Sequence, residues 1–525
     1  MISQETIQCL VKECEKTKDL KDGRKIVNLM ASHGLDSITD LHDYLIRMFT
    51  SCGSLKDANL MFRKVEKPTL YTWNSIMSAH ASLGDGKGTI ALFYELQEEG
   101  FKPSKFIFLS VLKSIGKLKS LPEGRDAHSR LIRRGFENDI VIGSSLIDMY
   151  GKCGSISEAH RVFETLPNKN VVSWNAMIAG YVQQKQKANA FGLFMKLQRE
   201  GIQPTKFTLS CILKACDNIE QCVKIHDQVL VSALGSDIVV GTALIDTYAK
   251  CGGLDHAHKV FDRLVEPDLA SWNAIISGYA QHGHGLPALK MFEKMLDKVK
   301  PDKMTFSSAL KAIGSIGAIK NGRLIYHQAI VNCLEGDLIL SNTLIDMYAK
   351  CGSLRKAHEV FERLPIRNVV TWNAIIAGYA QIGMVNTVFL TFDKMIGENI
   401  IPNQVTFLSV LTACSHAGLV ARGQMFFEIM SQNFGISSSL AHQTCMIDLL
   451  GRAGQLDKAM ETIEKMRFHG DLVMWLTLLG ACKKWSNLQI GEEAFGNALQ
   501  LDAIGSAAYV CMYNMYSHID VLEDV

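Results

Sequence analysis

The residues best equipped for catalysis or metal binding are 16 histidines and 14 cysteines, and their spacing serves neither purpose. No histidine has glutamate two residues on, and no C-x-x-C occurs. Zinc-deaminase and zinc-knuckle frames are therefore absent. The nearest decoys are His256-Ala-His258, at a helix start, and His282-Gly-His284, in a turn. Side chains two apart on a helix face away from each other, so neither pair suits a metal. Gly84-Asp-Gly86-Lys-Gly88 imitates a phosphate loop, but it follows a helix and lacks the G-K-[ST] ending, so it reads as an inter-helix turn. No Ser/His/Asp arrangement stands out, and no catalytic residue, metal or cofactor is expected. What does recur is an amide. Trp73-Asn74, Trp174-Asn175, Trp272-Asn273 and Trp372-Asn373 return about every 100 residues, and Trp475 keeps the beat. An Asn amide donates and accepts hydrogen bonds in one plane, which suits recognition rather than bond making.

The elements that position these amides are themselves repeated. The run Leu146–Gly154 (LIDMYGKCG) returns at 244–252 and 344–352, with a worn copy at 45–53. A fixed period marks a repeat array, whose function lies in a row of equivalent surface positions. Each period divides into three helical hairpins. In 369–403, Trp372, Ile375, Ile376, Tyr379 and Ala380 share one helical face. Gly383-Met384 breaks that helix. A second carries Val388, Phe389, Phe392 and Met395 and stops before Pro402. Residues 338–368 form a 31-residue unit and 404–439 a 36-residue unit. Sliding this cycle along the chain gives units ending at 38, 69, 104, 139, 170, 205, 237, 268, 302, 337, 368, 403, 439 and 471. The unit ending at 237 is about three residues short at its inter-helix turn, and the unit ending at 302 lacks one near its end. Stacked hairpins bury one another's apolar faces, so the expected fold is all-α: a right-handed α-solenoid superhelix with one concave face and no strands. Aromatic and Met residues at helical spacing, such as Phe361 and Met395, are core.

Composition agrees. Hydrophobic residues make up 47% of the 525 and charged residues 21%, which describes a folded chain. The net charge is +2, so no nucleic-acid contact can rest on bulk charge. No apolar run reaches membrane-spanning length. Cys52, Cys153, Cys251 and Cys351 occupy one position in successive repeats and read as small buried thiols in a reducing compartment. The N-terminus reads as helix and lacks transit-peptide character. The protein is then cytosolic, or this chain begins inside a longer precursor.

VVSWNAMIAGYVQ (171–183), LIDMYAKCGSLRKAHEVFERLP (344–365) and TFLSVLTACSHAGLV (406–420) each resemble one of the three repeat types of the pentatricopeptide repeat family, in its plant subclass of alternating long and short repeats. The 31/35/36 cycle and the Trp-Asn pairs argue against the tetratricopeptide repeat. Residues 444–466 and 472–495 resemble the last short repeat and the extension motif of organelle RNA-editing factors. The resemblance divides the chain into 1–38, an N-terminal long-type repeat; 39–403, the alternating array; 404–471, the last long and short repeats; 472–505, an extension motif; and 506–525, the opening of a second one around Tyr509–Tyr516.

The family implies one RNA base per repeat, read by the residue after the first-helix aromatic and by the last residue of the repeat. On this sequence Asn74/Ser104 implies a pyrimidine, Ser144/Asn170 A, Asn175/Thr205 a pyrimidine, Thr242/Asp268 G, and Asn273/Asp302 U. Asn342/Asn368 and Asn373/Asn403 imply C with U tolerated, and Thr444/Asp471 G. Asp43/Thr69 fits no rule, and the long repeats offer Leu109, Ser210, Ser307 and Leu408, which are left unassigned. The implied target is 5′-n-Y-n-A-Y-n-G-U-n-C-Y-n-G-3′, with an edited C about four nucleotides beyond. An Asn at a helix start is also a common cap. The resemblance thus implies a site-recognition factor for C-to-U editing of organelle transcripts, mitochondrial ahead of chloroplast. It would bind single-stranded RNA, with small editing cofactors on its long repeats and a deaminase in trans or in a missing segment. The alternatives are an RNA stabilisation or processing factor and a protein-binding scaffold.

Overall fold

The computed structural model describes residues 4–523 except 36–37, 233, 333, 335, 466–469 and 503–505. Among the described residues there are 31 helices and no strand. The chain divides into two compact units, Met1–Glu266 and Pro267–Val525. Within each unit the first helix of a hairpin packs on its own second helix and on the first helices of the neighbouring hairpins.

The hairpin Val369–Gln381 and Val385–Gly397 shows why this sequence folds so. Asn368 and Thr371 form a reciprocal capping box that satisfies two orphan N–H groups at the helix start. The helix ends at Gln381, and the chain turns away at Gly383, just past the C-cap Ile382, with a φ of +80° that costs glycine nothing. Trp372 is fully buried and meets Phe361, in the second helix of the preceding hairpin, edge-on at 4.8 Å. Phe62–Trp73 and Phe163–Trp174 repeat that contact at the same distance. Trp73, Trp174 and Trp372 thus each bolt a 31-residue hairpin to the 35-residue hairpin after it.

Small residues let first helices approach closely. A Cβ on Gly151 would lie 3.1 Å from the Cα of Gly180, and one on Gly378 would lie 2.6 Å from the Cβ of Ala349. The three-residue shortening of the unit ending at 237 falls on the helix and not only on the turn. Lys206–Leu213 has 8 residues, where its counterpart Lys105–Leu118 has 14. Apolar burial against the neighbouring helices holds this shortened helix, whose own hydrogen bonds are few.

Histidines serve the stack. His128 bonds the Tyr150 hydroxyl at 2.9 Å, His226 bonds Tyr248 at 3.0 Å, and Tyr379 meets His358 at 2.9 Å, each linking a second helix to the next first helix. Burial lowers the pKa of His128 and His226, which favours the neutral ring. Cys153, Cys251 and Cys351 cap first helices and are half-buried, more open than the sequence suggested. Burial still raises the thiol pKa of Cys153 and Cys351, so they rest protonated.

Candidate nucleic-acid interface

Every first-position residue named from the sequence is the fifth residue of its first helix. Asn74 sits in Leu70–Leu83, Ser144 in Ile140–Lys152, Asn175 in Val171–Gln183 and Thr242 in Ile238–Lys250. Asn273 sits in Leu269–Gln281, Asn342 in Leu338–Lys350, Asn373 in Val369–Gln381 and Thr444 in Leu440–Arg452. In four of these helices the fourth residue is Trp73, Trp174, Trp272 or Trp372, buried in the core. The fifth, one step of the helix further round, reaches the edge that faces the next hairpin.

Every second-position residue is the N-cap of the following first helix: Ser104, Asn170, Thr205, Asp268, Asp302, Asn368, Asn403 and Asp471. Each cap oxygen accepts a backbone N–H of its helix, worth about 0.5–2 kcal/mol. The capping expected of an Asn at a helix start holds for Asn170, Asn368 and Asn403 and not for the Asn after Trp, so the residue types at the second position answer to capping as well as to any ligand.

At three junctions the two positions are joined. Asn373 Nδ2 donates to Asn403 Oδ1 at 3.0 Å, and Thr406 Oγ1 donates to Asn373 Oδ1 at 2.6 Å. Asn273 Nδ2 donates to Asp302 Oδ1 at 3.2 Å, and Thr305 Oγ1 donates to Asn273 Oδ1 at 2.6 Å. Asn175 Nδ2 donates to Thr205 Oγ1 at 3.3 Å, and Thr208 Oγ1 donates to Asn175 Oδ1 at 2.6 Å.

Each network leaves a defined set of groups for a ligand. Among the described residues Asn273 Nδ2 makes one hydrogen bond, to Asp302 Oδ1, which leaves its second N–H as a donor and Asp302 Oδ2 as an acceptor for a ligand. Burial pushes the Asp302 carboxyl up, but hydrogen bonds from the Thr305 backbone and hydroxyl and from Asn273 outweigh it and hold the pKa below the usual aspartate value. The carboxylate is therefore ionised at neutral pH and only accepts. Asn373/Asn403 presents two donors instead, one from each amide. Thr208 Oγ1 gives its proton to Asn175, so in the 3.0 Å contact between the two hydroxyls Thr205 is the donor and has no proton left for a ligand.

Among the described residues the short-repeat pairs Ser144/Asn170, Asn342/Asn368 and Thr444/Asp471 are not joined in this way. Ser144 Oγ donates to Ile140 O at 2.7 Å, and Thr444 Oγ1 to Leu440 O at 2.9 Å, each within its own helix. Asn342 Oδ1 is buried without a partner. Thr242 and Asp268 lie in different units, each at its fifth-residue or N-cap position. In the long repeats Ser210 bonds Lys206 O and Ser307 bonds Thr343 Oγ1 at 2.7 Å. Asp43 is buried, which raises its pKa, and its Oδ1 has no partner.

Sequence reasoning passed over a second row. The second residue of most first helices is a large apolar side chain in solvent: Tyr71, Phe106, Val141, Val172, Phe207 and Val239 in the first unit. Met304, Ile339, Val370, Val405 and Val473 continue it in the second. Core residues account for helical spacing so well that an apolar side chain in register, facing outward, leaves no separate signal in the pattern. In the second unit a groove of about 490 Å³ brings both rows together, lined by Asn342, Asn373 and Asn403 with Met304, Val370 and Val405. Lysines near the first-helix ends are offset by Asp four residues back, as in Lys152–Asp148 and Lys350–Asp346.

No group of three His, Cys, Asp or Glu side chains among the described residues could hold a metal. His256 stacks on Tyr248 at 5.2 Å while His258 faces Asp262 at 3.6 Å, so that decoy pair diverges.

The PPR repeat family matches residues 169–218, 267–314 and 367–416, and the PPR repeat matches 71–101, 144–171, 242–267, 339–369 and 444–471. A mitochondrial pentatricopeptide repeat-containing protein of Arabidopsis thaliana is 32% identical over 100% of this chain and 61% of its own length. A chloroplastic one from the same plant is 33% identical over 98% of this chain and 64% of its own length. A third, described as putative in its name, is 34% identical over 93% of this chain and 72% of its length. The chain thus spans less than two thirds of the first two relatives. Among solved structures, the pentatricopeptide repeat protein PPR10 in complex with an 18-nt psaJ RNA element aligns with a TM-score of 0.56 at 16% identity, over 99% of this chain and 90% of that one. PPR10 from maize aligns at 0.51, over 99% and 92%. Repeat matches, relatives and fold agree: the chain belongs to the pentatricopeptide repeat family.

Proposed function

We propose that this chain binds single-stranded RNA, one base per hairpin, and serves as a site-recognition factor for C-to-U editing of an organelle transcript. The observation that carries the binding reading is the joined pair. Asn273/Asp302 offers a donor beside an acceptor, which complements the carbonyl and ring N–H of uracil. Asn373/Asn403 offers two donors, which suit the carbonyl and bare ring nitrogen of cytosine. Asn175/Thr205 offers one donor and so tells pyrimidines apart poorly. The outward apolar row supplies faces against which bases can lie, independent of sequence. The eight pairs from Asn74/Ser104 to Thr444/Asp471 are the proposed reading residues, in the N-to-C order that runs 5′ to 3′.

The editing role rests on the subclass resemblance and on segments 472–505 and 506–525, read as extension motifs. Deamination would come from a partner or a further segment of the protein. A groove of about 790 Å³ between the second helices Val385–Gly397 and Val420–Gln432, lined by Phe389, Leu390, Met425 and Ile429, supports docking of a small editing cofactor at this long repeat. The relatives' names place them in mitochondria or chloroplasts, and a mitochondrion is proposed here, with the chloroplast as the alternative.

Selection from a random single-stranded RNA pool at about 150 mM salt tests this. Enrichment of A, G, U and C at the spacing written above supports the reading and its register. A different enriched motif keeps RNA binding and discards the pairing of residues to bases. No enrichment favours the scaffold.

A further inference from the structure

The three joined networks share a component outside any two-residue pairing. Thr208, Thr305 and Thr406 are each the third residue of the first helix that follows, and the shortest bond of each hydroxyl, at 2.6 Å, is to the Oδ1 of the preceding Asn, with the side chain of its own cap at 2.9–3.2 Å. All three are fully buried. The bond decides which way the amide lies. With Oδ1 held by a hydroxyl proton, Nδ2 must face the cap, and its second hydrogen must face outward. At Asp302 the opposite orientation would set a carbonyl oxygen against a carboxylate.

The chain contains its own comparisons. Asn74 and Ser104 stand at the same kind of junction, but the third residue of the next helix is Ile107, which has no hydroxyl. No hydrogen bond joins Asn74 to Ser104 among the described residues. Asn342/Asn368 carries the same two residues as Asn373/Asn403. There Thr371 keeps the contact to its own cap that Thr305 and Thr406 also make, with Oγ1 3.0 Å from Asn368 Oδ1, but Asn342 Oδ1 is buried and unpartnered. Equal residue pairs thus sit in unequal frames.

We propose that Thr208, Thr305 and Thr406 are positioning residues that lock the amide of Asn175, Asn273 and Asn373 with its N–H outward, so that base stringency follows the threonine as well as the pair. This rests on the RNA reading above. It implies that the base at Asn373/Asn403 is held more strictly than the base at Asn342/Asn368, although both pairs are Asn/Asn.

The test uses the full chain, the oligoribonucleotide its wild type enriches, and single-base changes along it. Thr406→Val should lower the preference for the best base over the worst roughly tenfold at the Asn373/Asn403 position alone, the scale of one hydrogen bond. Thr406→Ser should restore it. Ile107→Thr should raise stringency at Asn74/Ser104, which keeps the proposal open to refutation if the valine variant folds poorly. Loss spread evenly over all positions, or no change in either variant while wild type keeps its preferences, overturns the positioning role and leaves RNA reading intact. A wild type with no base preference anywhere removes both.

Discussion

Asn273 donates an amide hydrogen to Asp302, 29 residues further on, and Asp302 caps the helix Lys303–Ile316 with the same oxygen that receives it. One carboxylate thus ends one repeat, starts the next and fixes the amide between them. It leaves its second oxygen as the acceptor of the proposed base site, with the second Asn273 N–H as the donor.

Asp302→Asn should exchange that acceptor for a donor while keeping the cap, since Asn and Asp cap about equally well. Preference at this position should move from U toward C by about tenfold or more, on the 1–3 kcal/mol scale of a good base contact. Competition between two oligoribonucleotides differing at that base measures it. Unchanged preference would mean that Asp302 caps and does nothing else.

The same carboxyl gives a pH dependence with a definite sign. Its folded pKa lies below the unfolded value, so its contribution to stability is present above about pH 4 and fades as the pH falls through the folded value. Urea unfolding of wild type and Asp302→Asn should therefore converge in acid, with wild type losing more between neutral pH and pH 3. Parallel losses in the two proteins would sink this assignment.

Phe207 is more than half exposed at the second position of its helix, so Phe207→Ala should leave the unfolding midpoint nearly unmoved. RNA affinity should fall by about 1–3 kcal/mol, the usual value of a base stacked on an aromatic side chain, and should fall equally for every base at that place. A loss confined to one base would make Phe207 a reading residue instead.

Trp372→Ala should cost about 3–5 kcal/mol, because the ring is fully buried and Phe361 loses its edge-on partner. Chemical denaturation of the full chain would show it as a lowered midpoint or an early separate transition. A shift under about 0.5 kcal/mol would mean that the junction repacks, within the range of surface substitutions.

The hairpins were legible because their signals are local. Trp372, Ile375, Ile376 and Tyr379 fall on one helical face, Gly383 can end a helix at positive φ, and Pro402 cannot continue one. Each of these follows from backbone sterics and period, which a sequence displays directly. The pairing of Asn373 with Asn403 was available only through family resemblance. Nothing in the residues says that positions 30 apart meet until stacking brings the end of one hairpin beside the fifth residue of its first helix.

What the sequence determined by itself is the set of elements, their order and the polar residue at the fifth position of the eight paired repeats. The tertiary structure alone decided which of those residues are joined, which apolar side chains face outward, and why Asn342 and Asn373 differ although both lead to Asn. The reason is geometric. A hydrogen bond at 2.6 Å from Thr406 to Asn373 requires two helices from different hairpins to be placed to within a few tenths of an ångström, and that placement is set by packing shared among all the neighbouring residues.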